Sequence, residues 1–309
     1  MKLTRVVPAL LMAALTTSAF AGEAATLTAI AQPEGAPTTV SEAVQQLKAH
    51  MLATRTPTVR RAHAPGKTTP NVIEFETADT SFIIPAAGSV AGANGTFFKS
   101  DVSIGNFANT TQNIGVGWLA AGQNNASAPL SYFTIPANTV ASINDFVGTT
   151  LHKSGLGALL IIAYNAAGTA PDDNAILDGF SRIWTPQPGS SGTVSQSFPS
   201  VSVIDSTDNF TAFALGLRQD ASFRTNVGVV NLDSATHTWT VTSLATGATT
   251  TLTVQPYSLG QGGVPASFGN SNGALSVSFD VSGTNIVWSA YASSVDNVTG
   301  DGWVSRATQ

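Results

Sequence analysis

A ten-residue stretch occurs twice in this chain, and the recurrence narrows the possible folds more than any other feature. Phe98-Lys99-Ser100-Asp101-Val102-Ser103-Ile104-Gly105-Asn106-Phe107 aligns with Phe223-Arg224-Thr225-Asn226-Val227-Gly228-Val229-Val230-Asn231-Leu232, identical or chemically similar at most positions. Further blocks follow in the same order. Ser81-Phe82 with Pro85 resembles Ser197-Phe198-Pro199, and Thr134-Ile135-Pro136 resembles Val254-Gln255-Pro256. Gly157-Ala158-Leu159 matches Gly273-Ala274-Leu275, and Phe180-Ser181 matches Trp288-Ser289. Collinear self-similarity means that one structural unit is laid down twice. From the ten-residue block onward the offset falls from 125 to 108, so the first copy carries the longer loops.

The unit reads as β. After residue 71, short runs of Val, Ile, Phe, Thr and Ser alternate with Gly, Asn and Pro turns about every ten residues, and no stretch keeps a 3.6-residue period. Each copy of about 110 residues has the size of an Ig-like antiparallel sandwich. The expected fold is therefore all-β, two tandem Ig-like sandwich modules over residues 71–196 and 197–309.

Residues 1–70 have a different character. Lys2 and Arg5, the apolar run Val6–Leu15 and the small-x-small triplet Ala19-Phe20-Ala21 predict a signal peptide over 1–21, cleaved after Ala21, and hence a secreted periplasmic or extracellular protein. Over 22–70, Val40, Val44, Leu47 and Met51 form one apolar stripe behind a Thr39/Glu42 capping box, which predicts a short helix over Val40–Ala53; the rest reads as disordered or extended. The stretch from Thr56 to Pro70 carries three prolines and reads as a linker. No apolar run reaches the roughly 20 residues of a membrane helix.

The run Val90-Ala91-Gly92-Ala93-Asn94-Gly95-Thr96-Phe97-Phe98-Lys99-Ser100-Asp101, followed by Asn106, resembles a module found in many exported bacterial proteins. Its pattern continues with a Pro-Ala-Gly turn, here Pro136-Ala137, then Gly157-Ala158-Leu159, and then Ser181-Arg182-Ile183-Trp184-Thr185. Gly192-Thr193-Val194-Ser195-Gln196 matches a further segment loosely. The resemblance spans about residues 82–309. It implies export and a β-sandwich. The family has no established activity, so the resemblance transfers no catalytic residue.

A catalytic set does not assemble from the sequence. Gly269-Asn270-Ser271-Asn272-Gly273 has the spelling of a nucleophile elbow, but a strand-like run follows it and no histidine lies beyond His237. The histidines (His50, His63, His152, His237) lack metal-ligand spacing, and the chain has no cysteine. Gly260-Gln261-Gly262-Gly263 lacks the Lys-Ser/Thr ending of a P-loop. From Asn71 onward six basic residues face fifteen acids, a balance that repels phosphate backbones and excludes nucleic acid as an expected partner.

Two oxygen-rich loops are the candidates for a hard cation such as calcium: Asp172-Asp173-Asn174 with Asp178, and Asp296-Asn297 with Asp301. Turn chemistry is the competing use of these residues. Trp303, next to Gly302, is the candidate exposed aromatic for a ligand. The reading that follows is a non-enzymatic exported module protein with a protein or glycan partner and no required cofactor. A glycan- or calcium-dependent adhesive module is the second reading, and an unrecognised hydrolase is the third.

Overall fold

The structure, a computed structural model, describes residues 26–54, 81–92, 95–187, 189, 191–202, 204–206, 211–270, 272–283 and 286–308. The signal peptide expected over 1–21 and the linker expected over 56–70 lie outside these residues.

The described chain is mainly β, and all its strand pairs are antiparallel. A short strand β1 (Thr28–Ile30) and helix α1 (Val40–Thr54) precede the first set of strands. That set comprises β2 (Ser81–Ala91), β3 (Phe97–Asn106), β4 (Gln112–Ala120), β5 (Leu130–Ile135), β6 (Thr139–Ile143), β7 (Gly155–Tyr164), β8 (Leu177–Pro186) and β9 (Thr193–Pro199). Two short strands, β10 (Val201–Ser202) and β11 (Ile204–Ser206), lead to the second set. It comprises β12 (Thr211–Leu217), β13 (Phe223–Asn231), β14 (His237–Ser243), β15 (Thr249–Val254), β16 (Ser258–Gly263), β17 (Leu275–Asp280), β18 (Ile286–Asp296) and β19 (Gly302–Arg306).

The pairing order is the same in the two sets. β5-β4-β7-β2 corresponds to β15-β14-β17-β12, and β6-β3-β8-β9 corresponds to β16-β13-β18-β19. In the first set, β2 reaches both sheets by pairing with β3 at Val90 and Ala91. Three apolar clusters place the four sheets in layers. Phe82, Val102, Ile104, Phe133 and Ile161 fill the space between the first two sheets. Trp239, Val241, Phe279 and Trp288 fill the space between the last two, the indole rings 5.9 Å apart. Between these lies a shared layer in which Ile83, Leu119 and Leu160 of the first set meet Val230, Leu232, Leu259, Val287 and Tyr291 of the second.

Helix α1 wedges into that shared layer. Its capping box forms as expected: Thr39 Oγ1 accepts from the Glu42 amide, and Glu42 Oε2 accepts from the Thr39 amide, each at 3.3 Å. Val40, Ala43, Val44 and Leu47 are buried. Lys48 reaches Asp233 of the second set at 3.3 Å, while His50 reaches Asp173 of the first at 2.6 Å. β1, for which the sequence carried no expectation, adds to the edge of β5.

Cα partners show how far each repeated block holds. The ten-residue block is in register: Asn106 pairs with Thr139 and Leu177, and Asn231 with Ser258 and Trp288. The later blocks lie in corresponding strands, but slipped. Gln112 pairs with Ile135 and His237 with Val254, so Val254 corresponds to Ile135 rather than to Thr134. By the same tracing Leu159 corresponds to Val277, and Phe180 to Tyr291. The block at Ser197-Phe198-Pro199 differs more. These residues belong to β9, which runs through the boundary expected between 196 and 197 and pairs with β8. β12, not this segment, takes the position of β2. The textual match arises because each segment puts one phenylalanine, Phe82 or Phe198, into a buried layer.

Candidate functional site

The polar residues of the repeated block serve the frame. Asn106 Nδ2 donates to the carbonyls of Thr110, Ile135 and Pro136, and its Oδ1 accepts from the Ala108 amide. Asn231 repeats the set with Ala235, Val254, Gln255 and Asp233. Both side chains are fully buried. Ser100 and Thr225 form a second latch. Ser100 Oγ donates to the Gly88 carbonyl at 2.9 Å, and Thr225 Oγ1 to the Arg218 carbonyl at 2.6 Å, tying β3 to β2 and β13 to the end of β12.

Four of the five carboxylates expected to hold a cation accept hydrogen bonds from turn amides or neighbouring side chains. Asp172 Oδ1 accepts from the Asn174 amide, and Asp173 bonds His50 on the helix. Asp178 Oδ1 accepts from Ser200 Oγ and from the Gly179 amide. Asp296 Oδ1 accepts the amides of Val298 and Thr299, closing the β18–β19 turn, and these two donors hold its carboxyl below the usual range. Asp301 contributes its backbone, the amide to Thr299 Oγ1 and the carbonyl to the Asp296 amide. Among the described residues no three His, Asp or Glu side chains come together as a metal-ligand group. Ser271 lies outside the described residues; Gly269 and Asn270 before it follow a single 3-10 turn, and Asn272 and Gly273 after it lead toward strand β17, not into a helix. His237 alternates with buried Trp239 and Val241 as its strand pattern predicts, and its Nε2 lies 2.8 Å from Asp233 Oδ2.

Trp303 is 39% exposed. Its indole N–H donates to the Gly216 carbonyl at 2.8 Å, and its ring leans on Phe223 at 5.8 Å. Arg218 stacks over the other side of this cluster, 4.2 Å from the Phe223 centroid, and its Nε donates to Asp220 at 2.5 Å. Beside them Arg218, Asp220, Asn270, Asn272 and Gly273 line a polar depression of about 400 Å³. The aromatic candidate thus sits next to a depression that offers several hydrogen-bonding groups to solvent. The sequence singled out Trp303 but not Arg218 or Asp220, which only the β12–β13 connection brings to the same rim.

The second surface feature was missed entirely. On the outer face of the β6-β3-β8-β9 sheet, Phe107, Val140, Phe180 and Pro199 line a mainly apolar groove of about 500 Å³, with Ser103, Asp178 and Ser197 as its polar members. Phe107 is 53% exposed, Val140 47% and Phe180 43%, with Ile176 beside them at 43%. The signal that was available is the alternation of β8: Phe180 occupies an outward position between Gly179 and buried Ser181, where a polar residue is expected.

No known protein family matches this chain, and no curated protein is similar to it.

Proposed function

We propose that the chain is an exported, non-enzymatic pair of tandem sandwich modules that works by binding through the outer face of its first module. The observation that carries this reading is the exposed apolar groove at Phe107, Val140 and Phe180. Contiguous apolar surface of this kind on a rigid sheet is the usual mark of an interaction site. The polar residues of the repeated motif support the same reading, because Asn106, Asn231, Ser100 and Thr225 are consumed by backbone hydrogen bonds. The resemblance of that motif to modules of exported bacterial proteins supports export.

Turnover is the direct test. The mature protein, screened against ester, peptide and glycoside substrates, is expected to show none above a denatured control. Hydrolysis abolished by replacing one aspartate would overturn the non-enzymatic reading.

A second reading, a glycan-binding module, is favoured by the Arg218–Asp220 depression beside Phe223 and Trp303. An aromatic face next to hydrogen-bonding side chains suits a polyol. Under this reading Trp303→Ala abolishes retention on a glycan array, and retention unchanged by that substitution contradicts it.

A further inference from the structure

The large apolar residues exposed at the bare groove have counterparts in the second half, and these counterparts are covered. Phe107 follows Asn106 and its amide donates to the Ile176 carbonyl at 2.8 Å; Leu232 follows Asn231 and its amide donates to the Val287 carbonyl at 2.9 Å. Val140 pairs with Gly105, and Leu259 with Val230. Phe180 pairs with Ser103, and Tyr291 with Gly228. Leu232, Val287, Leu259 and Tyr291 are at most 3% exposed, buried in the shared layer against Ile83, Leu119 and Leu160. The same sheet face is therefore an interface in one half and open in the other.

The surface that covers it also has a counterpart, and that counterpart is open at its large apolar side chains. Leu160 corresponds to Ser278 by the pairing of β4 with β7 and of β14 with β17. Ile83, the partner of Leu160, then corresponds to Phe213, the partner of Ser278. Leu119 corresponds to Leu244, one residue beyond Ser243. Phe213 is 37% exposed, Leu244 52% and the adjacent Leu215 58%.

The rest of that face has become polar in an informative place. Tyr132 bonds the Pro37 carbonyl ahead of α1, and Val40 of the helix lies over Gly117. Their counterparts in the second half, by the same registers, are Thr251 and Thr242. Threonine thus stands where the first half is roofed by the N-terminal segment. Leucine and phenylalanine stand where it receives the next sheet. Of the ten large apolar side chains exposed among the described residues, seven lie on these two open faces.

We propose that the occupant of the groove is a second copy of this chain, docked head to tail: the Phe107/Val140/Phe180 face of one copy on the Phe213/Leu244 face of another. The contact repeats the apolar one already made inside the chain. The polar detail differs: Ser258 Oγ donates to the Ala120 carbonyl across the internal interface, whereas Thr139, at the position equivalent to Ser258, donates its hydroxyl to the Pro136 carbonyl of its own turn. A contact between two different faces is heterologous, so it continues beyond a pair, into an open row or, where the rotation closes, a ring. The inference rests on the proposed binding role of the first module's outer face and names its partner.

Sedimentation of the mature chain from micromolar to millimolar concentration tests it, with Phe180→Asp on one face and Leu244→Asp on the other. Both positions are exposed, and unchanged circular dichroism confirms that the variants fold. Wild-type mass is expected to rise with concentration past that of a dimer, and each variant to associate at least tenfold more weakly. An equimolar mixture of the two variants has one intact pair of faces and is expected to form dimers and nothing larger. A wild-type chain that stays monomeric throughout overturns the proposal, as does a closed dimer lost in Phe180→Asp but kept in Leu244→Asp. Monomers with no hydrolytic activity, bound through Phe180 by a different protein, would overturn self-docking and leave the binding role standing.

Discussion

Asn106 and Asn231, both fully buried, each bind three carbonyls and one amide, with the Ile135 and Val254 carbonyls buried as well. Truncating either to alanine strands those carbonyls, and an orphaned buried polar group costs about 1–3 kcal/mol. Asn231→Ala is therefore expected to lose about 3 kcal/mol in urea unfolding, and Asn106→Ala a similar amount. A loss within error of zero at either site would show that the latch is dispensable. The carboxylates make a separate prediction. The Asp296 carboxyl is held low by the Thr299 and Val298 amides, and the Asp220 carboxyl by Arg218 and the Ser222 amide. For Asp233 burial works in the opposite direction, but His237, the Ser234 amide and Lys48 outweigh it. A carboxyl whose folded pKa lies below its unfolded value contributes stability above the unfolded value and loses it as pH falls through the folded one. Melting temperature should be flat at neutral pH and fall below about pH 4, the ordinary Asp range. Asp233→Asn should flatten that acid limb, and an unchanged limb would contradict the assignment.

At the scale of elements, the sequence showed the helix, its cap, the β grammar and the repeat, but not the register of most strands. The ten-residue block is in register because Asn106 and Asn231 fix it through directed hydrogen bonds, whereas Gly-Ala-Leu in β7 and ahead of β17 carries no such pin. A pattern of alternating small and apolar residues reads almost equally well after a slip. β7 also shows what burial does to a pattern. Ala158–Tyr164 is buried throughout because its sheet is covered on both sides, so the alternation disappears, whereas β14 is covered on one side and alternates. The groove was illegible for a related reason: an outward phenylalanine looks like an inward one until the pairing assigns its face. Helix α1 gives the prediction at this scale. Leu47 is 1% exposed in the layer shared by both strand sets, and Leu47→Ala should cost about 3 kcal/mol in a thermal or urea melt. A loss below about 0.5 kcal/mol, the size of an ordinary surface substitution, would mean that the helix rests on the sheets without stabilising them.

The whole molecule is a stack in which the second and third sheets enclose an apolar layer and the two outer sheets face solvent. The outer faces are unequal. One is an apolar groove, and the other is rich in threonine, with Phe213, Leu215 and Leu244 gathered at one end. Repetition of one unit explains both, since each outer face is a counterpart of a surface used inside the stack. The central claim is that corresponding positions have opposite exposure in the two halves because one partner is supplied within the chain and the other is not. Carbene footprinting read residue by residue tests this most directly. In dilute solution Phe107, Val140 and Phe180 should label strongly while Leu232, Leu259 and Tyr291 stay dark, and at high concentration the first group should fade together with Phe213 and Leu244. Equal labelling of the two groups in dilute solution, or labelling of Phe180 that ignores concentration, would contradict the account.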